Sequence, residues 1–225
     1  MNAWSGIAAV AWKDLIVERR SKANFNSVVF LAAVILLLFG FALGPDNQRL
    51  REAAGGVIWL TVLFSGVLSF NRSYQQELED SAIEPLLLYP VDRRTIYLGK
   101  LAANLVFLLA LELVLAVVAG VLYDLPLGRE PLGLALVLVL GTVGFAALGT
   151  FYGAMTSRVR AREVLMPLLL FPMLVPVLVA AVGATGALLA GDPLDSAGGW
   201  MRALAAFDII FVIASTLAFD SVIGE

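Results

Sequence analysis

LGKLAANLVFLLALELVLAVVAGVL, residues 98–122, is the stretch that decides the fold. A helix rises about 1.5 Å per residue, so a run of this length is long enough to cross the ~30 Å hydrocarbon layer of a bilayer. Only helices and closed barrels can span lipid, because lipid offers backbone groups no partners. The run lacks the alternation of a barrel strand. It therefore predicts a transmembrane helix.

Five further apolar runs accompany this one. The chain is 60% hydrophobic, whereas soluble domains contain about 45–50% apolar residues. We therefore predict an all-α integral membrane protein, a single transmembrane domain over residues 1–225 with six transmembrane helices. The other five runs are residues 28–43, 55–70, 132–151, 164–190 and 204–219.

The composition argues against catalysis by this chain. It contains no cysteine and no histidine, so disulfides, thiolate metal sites and a cysteine nucleophile are excluded. The side chain most used for acid–base work near neutral pH is also missing. No nucleophile–base pair or cluster of metal ligands stands out. We expect no catalytic residue, no metal site and no nucleic-acid partner.

The positions of the 15 Lys and Arg residues orient the predicted spans. Eleven lie before the first span or in and beside the second-to-third and fourth-to-fifth connections, and four lie on the opposite side. Cytoplasmic connections are enriched in Lys and Arg, so we expect both termini in the cytoplasm. Arg158, Arg160 and Arg162 either only fix this topology or also contact anionic lipid or a partner.

Residues 1–24 predict a further helix that does not cross the membrane. Apolar residues recur there at helical spacing with charged residues between them, and tryptophans favour the membrane interface. A plain basic topology signal is the alternative. The apolar set is Trp4, Ala8, Ala11, Trp12, Leu15 and Ile16.

Residues 71–97 form a charged segment between the second and third runs. The pattern predicts that the second span continues into the cytoplasm, breaks near Asp80 and is followed by a short helix over residues 82–89. Acidic residues beside exposed leucines suit docking into a groove on a partner. An ordinary solvated loop is the alternative. The candidate docking residues are Glu79, Asp80, Ile83, Glu84, Leu86 and Leu87.

Three residues inside the spans are candidates for a functional role. Glu112 is an acid in the third run, where a charge is costly, so it either lines a polar interior or is protonated and hydrogen-bonded between helices. Pro172 and Pro176 remove backbone donors, so the fifth span should kink or break, as a static bend or as a hinge. Small residues of the fourth span, among them Gly141 and Gly149, predict close helix packing, at a dimer seam or within the chain.

Several of these residues resemble the CcmB family, permease subunits of the haem-exporter ABC complex of cytochrome c maturation. The resemblance lies in residues 79–90, EDSAIEPLLLYP, in Gly99-Lys100-Leu101 and in residues 170–178, LFPMLVPVL. It covers nearly the whole chain. Asn71, Pro85 and residues 91–94 depart from the family's usual pattern.

The resemblance implies a fold like that of the ABC-2, or type V, exporters, with a cytoplasmic coupling helix between spans two and three. It implies a bacterial inner-membrane complex in which two copies of this chain join two ATPase subunits, a haem-handling membrane subunit and a small single-span subunit, among lipid. ATP would be hydrolysed on the ATPase, and haem would be the cargo, with no cofactor bound directly to this chain.

Two other functions are compatible with the sequence. The chain could be a scaffold that transports nothing and transmits ATPase movement to a haem-binding neighbour, which suits its lack of histidine. It could also be an exporter of lipid, polysaccharide or drug with the same architecture.

Overall fold

The computed structural model describes residues 3–21, 23–79, 92–157, 159, 161–191 and 196–223. This part of the chain forms seven α-helices and no strand, and six of the helices are long and apolar enough to cross a membrane. The expected all-α fold with six spans is therefore confirmed. The helices are α1 (Ala3–Ser21), α2 (Ala23–Leu43), α3 (Asn47–Glu79), α4 (Arg93–Leu122), α5 (Pro131–Thr156), α6 (Arg162–Ala190) and α7 (Ser196–Ile223).

All six spanning helices extend beyond the apolar runs that predicted them. Six crossings bring both chain ends to one side of the bundle, here called the termini end, and the opposite side is the far end. At the far end the Asp46 side chain accepts a hydrogen bond from the Gln48 amide at 3.0 Å, at the start of α3. At the termini end Asp92 accepts one from the Arg94 amide at 3.1 Å and caps α4. Apolar runs mark only the lipid-embedded part of a helix, while polar residues cap and continue it outside.

The centre of the bundle is α5, which contacts α3, α4, α6 and α7. Its glycines allow large side chains of α3 to approach its backbone. A β-carbon on Gly141 would overlap the Trp59 ring, and one on Gly149 would overlap the Phe70 ring. The Phe70 ring also meets Phe145 edge to face, with centroids 5.3 Å apart. The expected close packing is therefore confirmed, and for Gly141 and Gly149 it is packing within one chain rather than at a dimer seam.

The N-terminal helix α1 is present and lies against α4. Gly99 leaves room for Val10, which would be 2.6 Å from a β-carbon at that position. Asp14 accepts a hydrogen bond from Lys100 at 3.3 Å, and the Lys100 side chain is 7% exposed. Trp4 and Trp12 lie on the outer side of α1, 82% and 66% exposed. The helical prediction is confirmed, and its location in the membrane interface stays a prediction.

We expect Gly141→Ala and Gly149→Ala each to lower the free energy of unfolding by about 1–3 kcal/mol, because overpacking forces rings and helices apart. Unfolding of the purified protein in detergent would measure this. The matched control is Gly56→Ala in α3, where a β-carbon would meet nothing within 4 Å. That variant should be neutral or more stable by up to about 1 kcal/mol. Equal effects at all three positions would contradict the packing role.

Candidate functional site

The candidate docking segment joins α3 to α4 at the termini end. The second span continues past its lipid-embedded part, as expected, because α3 is described to Glu79. Asp80, Ile83, Glu84, Leu86 and Leu87, together with the predicted helix over residues 82–89, lie outside the described residues. Their docking role stays a prediction.

The start of α4, where that segment ends, is held in place by packing and hydrogen bonds. Asp92 caps α4 directly after it, and eight residues further on Lys100 pairs with Asp14 of α1. The first turns of α4 are largely buried, Tyr97 completely. The Tyr97 hydroxyl donates to the Ala147 carbonyl of α5 at 3.0 Å. The connection therefore ends on a helix that is tied to both α1 and α5.

Glu112 lies between α4 and α5 and is only 1% exposed. Its two carboxyl oxygens are 2.6 and 2.7 Å from the Thr142 hydroxyl oxygen. That hydroxyl is also 2.6 Å from the Leu138 carbonyl oxygen of its own helix. The acid is therefore part of a closed contact between two helices, and it does not face an open interior.

The hydrogen-bond arrangement around Glu112 indicates its protonation state. A threonine hydroxyl has one proton to donate. If Glu112 is neutral, its O–H donates to Thr142 and the Thr142 O–H donates to the Leu138 carbonyl, so both donors are paired. An ionised carboxylate would add a charge in the bilayer interior at a cost of about 2.5–3.5 kcal/mol. The geometry favours a neutral Glu112 with a packing role.

Two more buried hydrogen bonds join neighbouring helices inside the bundle. Asn104 of α4 donates to Thr150 of α5 at 2.9 Å. The Trp59 indole of α3 donates to Thr185 of α6, also at 2.9 Å. Lipid offers these polar side chains no hydrogen-bond partner. They pair with each other instead, and each pair joins two helices.

Pro172 and Pro176 are on α6, and the expectation of a break there is wrong. The helix is continuous from Arg162 to Ala190 with three prolines inside it. Each proline removes one backbone donor, but every further unpaired group would be costly in lipid, so the remaining helical bonds are retained. Pro172 is exposed and Pro176 is half-buried. The kink and the hinge remain predictions.

Sequence reasoning missed a second intramembrane acid, Asp208 of α7. It lies in the sixth apolar run and is 6% exposed. Its Oδ1 atom is 2.7 Å from the position that a β-carbon on Gly144 of α5 would occupy. Neither of its carboxyl oxygens has a hydrogen-bond partner among the described residues. The signal that would have found it is the one that drew attention to Glu112, an acid inside an apolar run.

Two clefts lie at the far end, on either side of the start of α3. One, of about 490 Å³, is lined by α2, the start of α3 and Tyr123, and is mostly apolar. The other, of about 700 Å³, lies between α3 and the end of α6 and includes Arg51 and Glu52. Both are partly open at the surface.

The chain is similar to known proteins along nearly its whole length. The family model described as CcmB protein matches residues 6–224. Heme exporter protein B of Pseudomonas aeruginosa is 30% identical over 213 residues, which cover 93% of this chain and 94% of that protein. The protein of the same name from Paracoccus denitrificans is 30% identical, with 93% and 91% covered. The Escherichia coli K12 protein is 29% identical, with 81% and 82% covered.

We expect Glu112→Gln to change the free energy of unfolding by less than about 0.5 kcal/mol, because an amide N–H replaces the carboxyl O–H toward Thr142. Thr142→Val should cost about 1–3 kcal/mol, since it leaves the buried carboxyl without its partner. Unfolding in detergent would compare the two variants. If Glu112→Gln alone reduced cytochrome c yield while assembly was intact, Glu112 would have a functional role and the packing account would fail.

Proposed function

This chain belongs to the CcmB family, and from that premise we propose that it is the permease subunit of an ABC transporter that exports haem for cytochrome c maturation. The name of its relatives, Heme exporter protein B, supports this cargo. ATP is bound and hydrolysed on a separate ATPase subunit. The complex contains two copies of each, with a haem-handling membrane subunit and a small single-span subunit, in the bacterial inner membrane. Both termini of this chain are cytoplasmic.

The observation that carries the proposal is the length of α3. Its 33 residues correspond to about 50 Å, while its apolar, membrane-length part ends at Asn71. The residues from Arg72 to Glu79 therefore extend about 12 Å beyond that part. The acidic and leucine-rich segment follows directly and returns to the capped start of α4. An ATPase in the cytoplasm would reach the projecting end of α3, from which that segment continues.

α3 also offers a route for movement into the membrane. It is one continuous helix from Glu79 back to Phe70 and Trp59, which pack on Gly149 and Gly141 of α5. A displacement of its projecting end is therefore transmitted to the central helix. ATP would drive that displacement through its higher affinity for the closed ATPase dimer.

The scaffold function is the second candidate, and the packing of the interior supports it. The described residues around α5 fill the centre of the chain with large side chains, including Trp59, Phe70 and Phe145. A porphyrin would have to pass along the surface of the chain, between it and a neighbour. A continuous porphyrin-wide cavity between two copies favours transport, whereas a closed seam favours the scaffold.

We expect reversal of charge at Glu79, Asp80 and Glu84, each to Lys, to abolish co-purification of the ATPase with the tagged chain in mild detergent. The acidic residues set the register of docking, and like charges across an interface repel. The measurement is the ratio of ATPase to tagged chain after affinity purification, with cytochrome c yield in the same strain.

The control is the double variant Glu52→Gln and Glu130→Gln, at the far end of the bundle. Gln is used there instead of Lys, because added Lys at that end would disturb the membrane topology. It should retain the ATPase. Full retention of the ATPase by the triple variant would refute the docking role. Normal cytochrome c yield in a strain that lacks this chain would refute haem handling and favour an exporter of lipid, polysaccharide or drug.

A further inference from the structure

Asp208 lies near the middle of the membrane-length part of α7. It is twelve residues from the start of α7 at Ser196 and eleven from Phe219, where the membrane-length part of α7 ends. At about 1.5 Å per residue, each end is about 16–18 Å away. In the described part of the chain, it and Glu112 are the two acids at mid-span depth.

Among the residues that the structure describes, none brings an opposite charge to Asp208. Gly144 of α5 and Val177 of α6 meet at Asp208, and neither helix has a described charged side chain within its span.

The charged residues of α4 and α7 point elsewhere or are paired. On α4, Glu112 bonds to Thr142, two residues from Gly144, so it faces the other side of α5. Lys100 of α4 is paired with Asp14. Arg202 of α7 itself is exposed and donates to the Gly198 carbonyl at 3.2 Å.

The space around the carboxyl group limits what it can bind. Both oxygens are buried and have no hydrogen-bond partner in the described residues, so solvent does not reach them in the packed bundle. The Gly144 amide lies near the carboxyl group, but it is inside a helix, where it is committed to the carbonyl four residues earlier, and neither carboxyl oxygen meets it in hydrogen-bond geometry. Water, a metal cation and a partner's side chain are therefore not in contact with this acid in the packed bundle. A proton needs no additional room.

We propose that Asp208 is a proton-binding site that controls the packing of α7 on α5. Bound, the proton keeps the carboxyl group neutral and lets it lie against Gly144. Released, it leaves a carboxylate that must reach water or a donor, because an unpaired charge is costly in the bilayer interior. Since the packed site has neither, proton release requires α7 to separate from α5 at this depth. This inference does not depend on the cargo or on the ATPase.

Glu112 provides a matched control within the same protein. Its neutral carboxyl group is hydrogen-bonded to Thr142, whereas that of Asp208 has no acceptor. A free carboxylic acid absorbs at higher infrared frequency than a hydrogen-bonded one. The full-length protein in lipid vesicles should therefore show two bands of neutral acid at neutral pH. Asp208→Asn should remove the higher-frequency band, and Glu112→Gln the lower.

Isotope labelling keeps this test independent of any variant that fails to fold. Uniform ¹³C-aspartate in the otherwise unchanged protein should shift the higher band and leave the lower one in place. If the higher band does not shift with labelled aspartate, or if it is missing from the unchanged protein, the proposal is overturned.

The linked movement is measured separately. The chain has no cysteine, so a spin-label pair at Met155→Cys in α5 and Leu217→Cys in α7, which are 47% and 56% exposed, needs no other change. Raising the pH should lengthen or broaden the distance between the labels in the otherwise native chain as the higher infrared band disappears. With Asp208→Asn the distance should be independent of pH. The same pH response in both proteins would overturn the proposal.

Discussion

Lipid gives a buried polar group no partner, and this constraint organises the bundle. A polar side chain within a span must be paired with another part of the protein, and one that stays unpaired must at least be uncharged, because a charge costs more. Asn104 with Thr150, Trp59 with Thr185, and Glu112 with Thr142 meet the requirement by joining two helices. Asp208 meets it only if it is neutral, which separates it from the rest.

The central helix α5 can take part in these contacts because its faces differ. The face with Gly141, Phe145 and Gly149 receives the aromatic side chains of α3. The face with Thr142 and Thr150 bonds to α4. Gly144, about 200° from Thr142 around the helix, receives Asp208 from α7. α5 therefore contacts α3, α4 and α7 through different faces, and a displacement of any of the three is transmitted through α5 to the others.

The sequence predicts the spans well because length and apolar character alone define them. It predicts α1 and the extension of α3 because helical spacing continues into polar residues. It could not predict that the glycines of α5 face α3, since spacing does not identify the neighbouring helix. Asp14 is one of the charged residues interleaved along α1, and only the fold brings it to Lys100. Of the kink or break expected at Pro172 and Pro176, the break does not occur, because lipid strongly favours the remaining backbone bonds.

The contact between α1 and α4 has a consequence for biosynthesis. The pair Asp14–Lys100 joins residues 86 positions apart in the chain. Chains emerge from the ribosome N-terminus first, so α1 is made well before the helix that holds it. α2 and α3 are inserted while α1 has no partner on α4. The contact between α1 and α4 forms only after α4 has been synthesised. Truncated nascent chains that end before Arg93 should therefore leave α1 open to protease.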